Sequence, residues 1–177
     1  MAYNQILDQT PHAYHEAEQY IANFAKEHTL NDYLKFISEV KKTVNIPVIA
    51  SIHCVSHYDW AFFARRMQNA GADAIELNIY SLPSDFRIAG DVYENESFEI
   101  IKEVKKFVTI PVSLKIGYYF SGLANTIQKL SESGIQALVL FNKPYYSDID
   151  IEKIKVTSFP VETGEQDYVN TLRWIAI

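Results

Sequence analysis

The chain has 177 residues, a net charge of −6, a pI near 5.3 and 48% hydrophobic residues. That length buries one sizeable core and fits a single domain, residues 1–177, and the acidic balance with scattered Lys and Arg excludes nucleic acid or an anionic membrane as the main partner, since phosphate contacts need clustered cations. The single cysteine, Cys54, can form no intrachain disulfide, and no apolar run approaches the ~20 residues of a membrane span or follows a signal-peptide plan, so the cytoplasm is the expected compartment.

Thr10 followed by Pro11 predicts a helix start, with Ala13, Ala17, Tyr20, Ile21 and Phe24 as its apolar stripe. A second helix carries Leu30, Leu34, Ile37, Val40 and Val44 at the same spacing, so residues 1–45 form an N-terminal helical segment. Asn45 and Pro47 end it, and residues 48–53 read as a strand. Ser56 with Asp59 resembles a capping box that opens a helix buried through Trp60, Phe63, Ala64 and Met67, and Gly71 stops it. Residues 73–79 are the next strand. A polar loop from Tyr80 to about Glu94 leads to a helix packed through Phe98, Ile101, Val104 and Val108, and residues 111–117 are the third strand. Ser121 is expected to cap a helix with Leu123, Ile127 and Leu130 inward; Gly134 ends it, and residues 137–142 are the fourth strand. Residues 143–177 are less regular and suggest a loop, a hairpin around Thr163 and Gly164, and a last strand at residues 172–177.

The middle segment, residues 46–142, repeats itself. EVKKTVNIPV at residues 39–48 and EVKKFVTIPV at residues 103–112 share eight of ten residues at an offset of 64, and AGADAIELN from Ala70 matches SGIQALVLFN from Ser133. Such a two-fold βαβα copy predicts an α/β fold with a parallel sheet. Its strands end in polar residues, His53, Asn78, Lys115 and Asn142, where a buried parallel strand should be apolar. Alternation along the strands sets Ile75, Leu77, Val112, Leu114 and Ile116 toward the helices. It leaves Ser51, His53, Glu76, Asn78, Ser113, Lys115 and Asn142 on the other face, at the carboxyl ends where β/α sheets and barrels hold ligands.

The segments IPVIASI, GADAIELNIYSLPSD, IPVSLKIGYYF, LVLFN and the terminal LRWIAI occur in an order that resembles the dihydroorotate dehydrogenases, most closely dihydroorotate dehydrogenase-like proteins. The resemblance implies a TIM-type β/α barrel that binds FMN. It also implies oxidation of dihydroorotate to orotate, or of a related pyrimidine, with hydride passing to the flavin N5. Only four or five of the eight strands of a barrel are recognisable, and no glycine-rich phosphate turn occurs, so the chain is expected to be a central, partial barrel.

By that resemblance Lys115 lies beside the flavin ring, stabilising the negative charge that develops on its N1 and O2 region. Its residue type and position equally suit an ion pair with Glu76. Asn78 and Asn142 match asparagines that bond a pyrimidine-like substrate and the flavin, suiting an imide edge because a carboxamide both donates and accepts; isolated asparagines also cap strand ends. Ser51 is grouped with the cofactor residues and His53 with the substrate residues. The family places a Cys or Ser just before a Pro as catalytic base. Here Leu82 precedes Pro83 and Ser81 stands one residue earlier, so Ser81 either takes the role through a one-residue shift or is a solvated loop serine.

His53, Cys54 and His57 lack the second ligand pair of a zinc site, and no metal is expected. Tyr118, Tyr119, Tyr145 and Tyr146 lie just past strand ends, where they either stack on a planar ligand or pack under loops. Two functions follow from the sequence: an FMN-dependent oxidoreductase acting on a small molecule, or a truncated, non-catalytic barrel scaffold. In either case open sheet edges favour homo-oligomers.

Overall fold

The computed structural model describes residues 15–54, 57–142, 147–158 and 165–177. Its first element, helix α1 (His15–Thr43), is continuous where two helices were expected. Residues 25–29 contain neither Gly nor Pro, so nothing in the backbone breaks the helix between its two apolar stretches. The expected start at Thr10 and Pro11 lies outside the described residues. Within the predicted second stripe Leu30 and Ile37 are buried, and Leu34, Val40 and Val44 are half-buried.

Four parallel strands follow in sequence order: β1 (Ile49–Ile52), β2 (Ala74–Asn78), β3 (Val112–Ile116) and β4 (Ala137–Leu140). Helix α2 (His57–Asn69) joins β1 to β2, α3 (Gly90–Phe107) joins β2 to β3, and α4 (Leu123–Glu132) joins β3 to β4. This is the βαβα succession that the internal repeat required. Helix α3 begins at Gly90, inside the stretch expected to be loop, with Asp91 placed favourably against the helix dipole. At α4 the expected Ser121 cap is replaced by Gly122, which stands at the N-cap without any side-chain bond. Ser56, the other expected cap, lies outside the described residues.

The helices cover one face of the sheet. Ala50 and Ile52 of β1, Ile75 and Leu77 of β2, and Val112, Leu114 and Ile116 of β3 are buried there against Trp60, Ala64 and Met67 of α2, Ile100, Ile101 and Val104 of α3, and Leu130 of α4. Alternation therefore assigned the strand faces correctly. Two glycines make the helix-to-strand turns: Gly71 at φ 104° and Gly134 at φ 84° adopt the left-handed backbone that other residues resist. Beside each sits a repeat-equivalent lysine. Lys41 Nζ pairs with Asp73 at 2.7 Å, and Lys105 Nζ donates to Gly134 O at 2.5 Å.

The tail differs from expectation. Strands β5 (Ser147–Asp150) and β6 (Lys155–Ser158) form an antiparallel hairpin, turned where Asp150 Oδ1 accepts the Glu152 and Lys153 N–H groups. Thr163 and Gly164, where a hairpin was expected, are outside the described residues. Residues 172–176 of the expected last strand are instead the end of helix α5 (Glu165–Ala176), where Val169, Leu172 and Ile175 repeat at helical rather than alternating spacing. Trp174 anchors that helix edge-on to Phe141, with ring centroids 6.5 Å apart.

Candidate functional site

The face of the sheet away from the helices is polar, and adjacent-strand register decides which side chains meet. Ser51 pairs with Glu76, Glu76 with Ser113, and Asn78 with Lys115. Glu76 lies at the centre of this row. Its Oε1 accepts both the Ser51 hydroxyl at 2.8 Å and the Lys115 ammonium at 2.7 Å, so one oxygen ties β1, β2 and β3 together. The Lys115 side chain is 25% exposed and that of Glu76 17%. Burial pushes the Glu76 carboxyl upward, but the hydrogen bonds from Lys115 and Ser51 and the lysine charge outweigh it and hold the group below the ordinary carboxylate range.

One step toward the carboxyl ends, Asn142 Nδ2 donates to Asn78 Oδ1 at 2.7 Å. These repeat-equivalent carboxamides meet across the end of β3, although β4 ends at Leu140 as an extended strand, two residues before Asn142. The Asn142 backbone N–H, bonded to Ile116 O at 2.7 Å, holds that turn in place. His53 Nδ1 lies 2.8 Å from the Asn78 carbonyl oxygen, so its Nδ1–H tautomer closes the end of β2. From α1, Tyr33 donates to Ser51 O at 3.3 Å.

Ser51, His53, Asn78, Lys115 and Asn142 thus share one polar face in two bonded groups, Ser51–Glu76–Lys115 and His53–Asn78–Asn142, brought side by side where Asn78 pairs with Lys115 in register. Ser81 does not join it. Its hydroxyl lies 3.5 Å from Glu96 Oε2, and it lines a separate pocket with Ile79, Pro83, Tyr93, Tyr119 and Phe120, between the loops after β2 and β3. The rings of Tyr118 and Tyr119 pack against each other at 4.8 Å, and Tyr118 meets Phe141 edge-on, which builds an aromatic margin beside Asn142. Among the described residues no three His, Cys, Asp or Glu side chains gather as a metal would require, and no helix is long and apolar enough to cross a membrane. Strand alternation already placed Glu76 on this face as the ion-pair partner open to Lys115, whereas Tyr33 reaches it from a helix and left no signal in the pattern.

Parallel strands in sequence order, helices on one face and a polar row at the carboxyl ends of the other define a partial β/α barrel of the TIM type. A crystal structure of phosphonopyruvate hydrolase shares the fold at a TM-score of 0.51 and 18% identity, over 65% of this chain and 43% of that one. No protein-family model matches. In sequence, the chain is 30% identical to the dihydroorotate dehydrogenase B (NAD(+)) catalytic subunit of Methanocaldococcus jannaschii over 71% of its own length and 42% of that protein's. It is also 30% identical to the "Putative dihydroorotate dehydrogenase A (fumarate)" of Aeropyrum pernix, over 66% of this chain and 38% of that one. Over the matched stretch the chain is dihydroorotate dehydrogenase-like, and it spans about two fifths of the length of these curated relatives.

Proposed function

We propose that this chain carries the ring-binding floor of an FMN-dependent oxidoreductase of the dihydroorotate dehydrogenase type, acting on dihydroorotate or a related pyrimidine. The observation that carries the reading is the convergence of Lys115, Asn78 and Asn142 on one open face at the carboxyl ends of adjacent strands. The donor set fits a flavin ring. An ammonium suits the electron-rich N1 and O2 edge, and two carboxamides with the Ser51 hydroxyl offer the mixed donors and acceptors that an imide edge needs. The phosphate end of FMN finds no glycine-rich cradle among the described residues, so the fit is to the ring.

When bound, the flavin supplies a hydride acceptor. The chain's residues do the rest. Lys115 presents positive charge from a partly buried position, where it counts for more than in water, and Asn78 with Asn142 orients a planar pyrimidine-like substrate, with His53 fixing the end of β2 beneath it. Ser81, turned toward Glu96 in a separate pocket away from these side chains, has no place as base in this reading. The cytoplasm as compartment and a pairing of two copies through the edges of the sheet, at β1 and β4, belong to the same reading.

Titration of the purified chain with FMN, followed by quenching of flavin fluorescence, tests this. Saturable binding that weakens by about tenfold or more in Lys115→Met is expected, an amount near 1.4 kcal/mol. A wild-type chain that leaves the fluorescence of added FMN unchanged contradicts the reading and favours a non-catalytic scaffold.

A further inference from the structure

Lys115 had two roles open to it, an ion pair with Glu76 or a cation beside the ligand, and the geometry joins them. We propose that Glu76, held by Ser51, is a positioning residue that fixes the Lys115 ammonium over the open face of the sheet, ready for the electron-rich edge of a planar ring. The proposal rests on the flavin reading above for the identity of that ring.

Three observations support it. First, a lysine head on a long flexible stem stays in one place only if something holds it, and the held position is defined by one carboxylate oxygen that also takes the Ser51 hydroxyl. Second, the restraint draws Lys115 sideways. Glu76 is opposite Ser113, one pleat away from the Asn78–Lys115 pair, so the ammonium leans over β2 toward the middle of the polar row instead of out past the end of β3.

Third, stability does not account for the pair. A partly buried ion pair seldom stabilises more than apolar side chains of similar volume, and inward-facing positions of barrels are mostly Val, Ile and Leu. On their helix-covered face the same strands are aliphatic throughout, with Ile75, Leu77, Leu114 and Ile116 buried. An ion pair on the open face is therefore retained for what it presents to a ligand.

The test uses trace acetylation of the whole chain read by mass spectrometry, with exposed Lys129 as internal standard, beside melting temperatures and FMN titrations. In Glu76→Leu the acetylation of Lys115 is expected to rise several-fold over wild type, with Glu76→Gln between the two, and affinity for FMN is expected to fall by about tenfold, some 1.4 kcal/mol. The double variant Glu76→Leu/Lys115→Met is expected to melt at or above the wild-type temperature while losing the flavin. Unchanged Lys115 acetylation in Glu76→Leu overturns the proposal. So does a double variant that melts well below wild type, since the pair is then structural. If wild type takes no FMN, the flavin reading fails and the acetylation arm still decides the positioning role. If Lys115→Met loses FMN while Glu76→Leu keeps it with unaltered acetylation, the positioning role fails and the flavin reading stands.

Discussion

Glu76 links charge to stability at a single side chain. Its carboxyl titrates below the ordinary glutamate range in the folded chain, so the unfolded chain binds the extra proton first as acid is added. The contribution of the pair is complete above the unfolded value of about pH 4.3 and is lost as pH falls through the folded value. Melting curves recorded from pH 6 downward are therefore expected to show Glu76→Gln losing less stability than wild type over that acid window. Parallel decline of the two proteins contradicts the assignment. At this scale the sequence was informative wherever alternation applied: Ser51, Glu76, Asn78 and Lys115 share a face because they alternate with Ile52, Leu77 and Leu114. It was silent wherever loop backbone decides. The bond from His53 to the Asn78 carbonyl and the turn of Ser81 toward Glu96 depend on chain paths that no periodicity encodes.

Among the elements, β3 is the keystone, since it pairs with β2 on one side and β4 on the other and sends Val112, Leu114 and Ile116 into the core. Leu114 is fully buried there, so Leu114→Ala leaves a cavity and is expected to cost about 2–5 kcal/mol in urea unfolding. A loss below about 1 kcal/mol contradicts the packing described. Strands and helices of the repeat were legible because each carries a hydrophobic period, and its two turns because Gly71 and Gly134 follow the last helical residues. The N-terminal helix reads as two because its apolar residues fall into two groups, at 13–24 and 30–44, although neither Gly nor Pro separates them. The last element reads as a strand when LRWIAI is taken alone, since it is rich in residues that favour strands, and the helical period emerges only when Val169 is counted with Leu172 and Ile175. The β5–β6 hairpin turns on Asp150, whose side chain makes the bend through two backbone N–H groups without the Gly that would have announced it.

For the molecule as a whole, four strands form one sheet with β1 and β4 at its edges, and the described residues supply no fifth parallel strand. Ile49 is 61% exposed at the amino-terminal end of β1, an aliphatic side chain that a closed barrel would bury. In the proposed pairing a two-fold axis parallel to the strands would keep all strand directions alike and bring β4 of one copy to β1 of the other in parallel at both seams. Light scattering at low micromolar concentration is expected to give twice the chain mass; a clean monomer contradicts that arrangement. In the proposed function the Lys115, Asn78 and Asn142 surface is where a flavin ring is received. The most direct measurement of this is a two-dimensional nitrogen–proton NMR spectrum of the labelled chain with and without FMN, with the side-chain amides of Asn78 and Asn142 assigned. The account predicts that these two carboxamides are among the largest shifts. Perturbations confined to the Ser81 and Tyr119 pocket, or none at all, would contradict it.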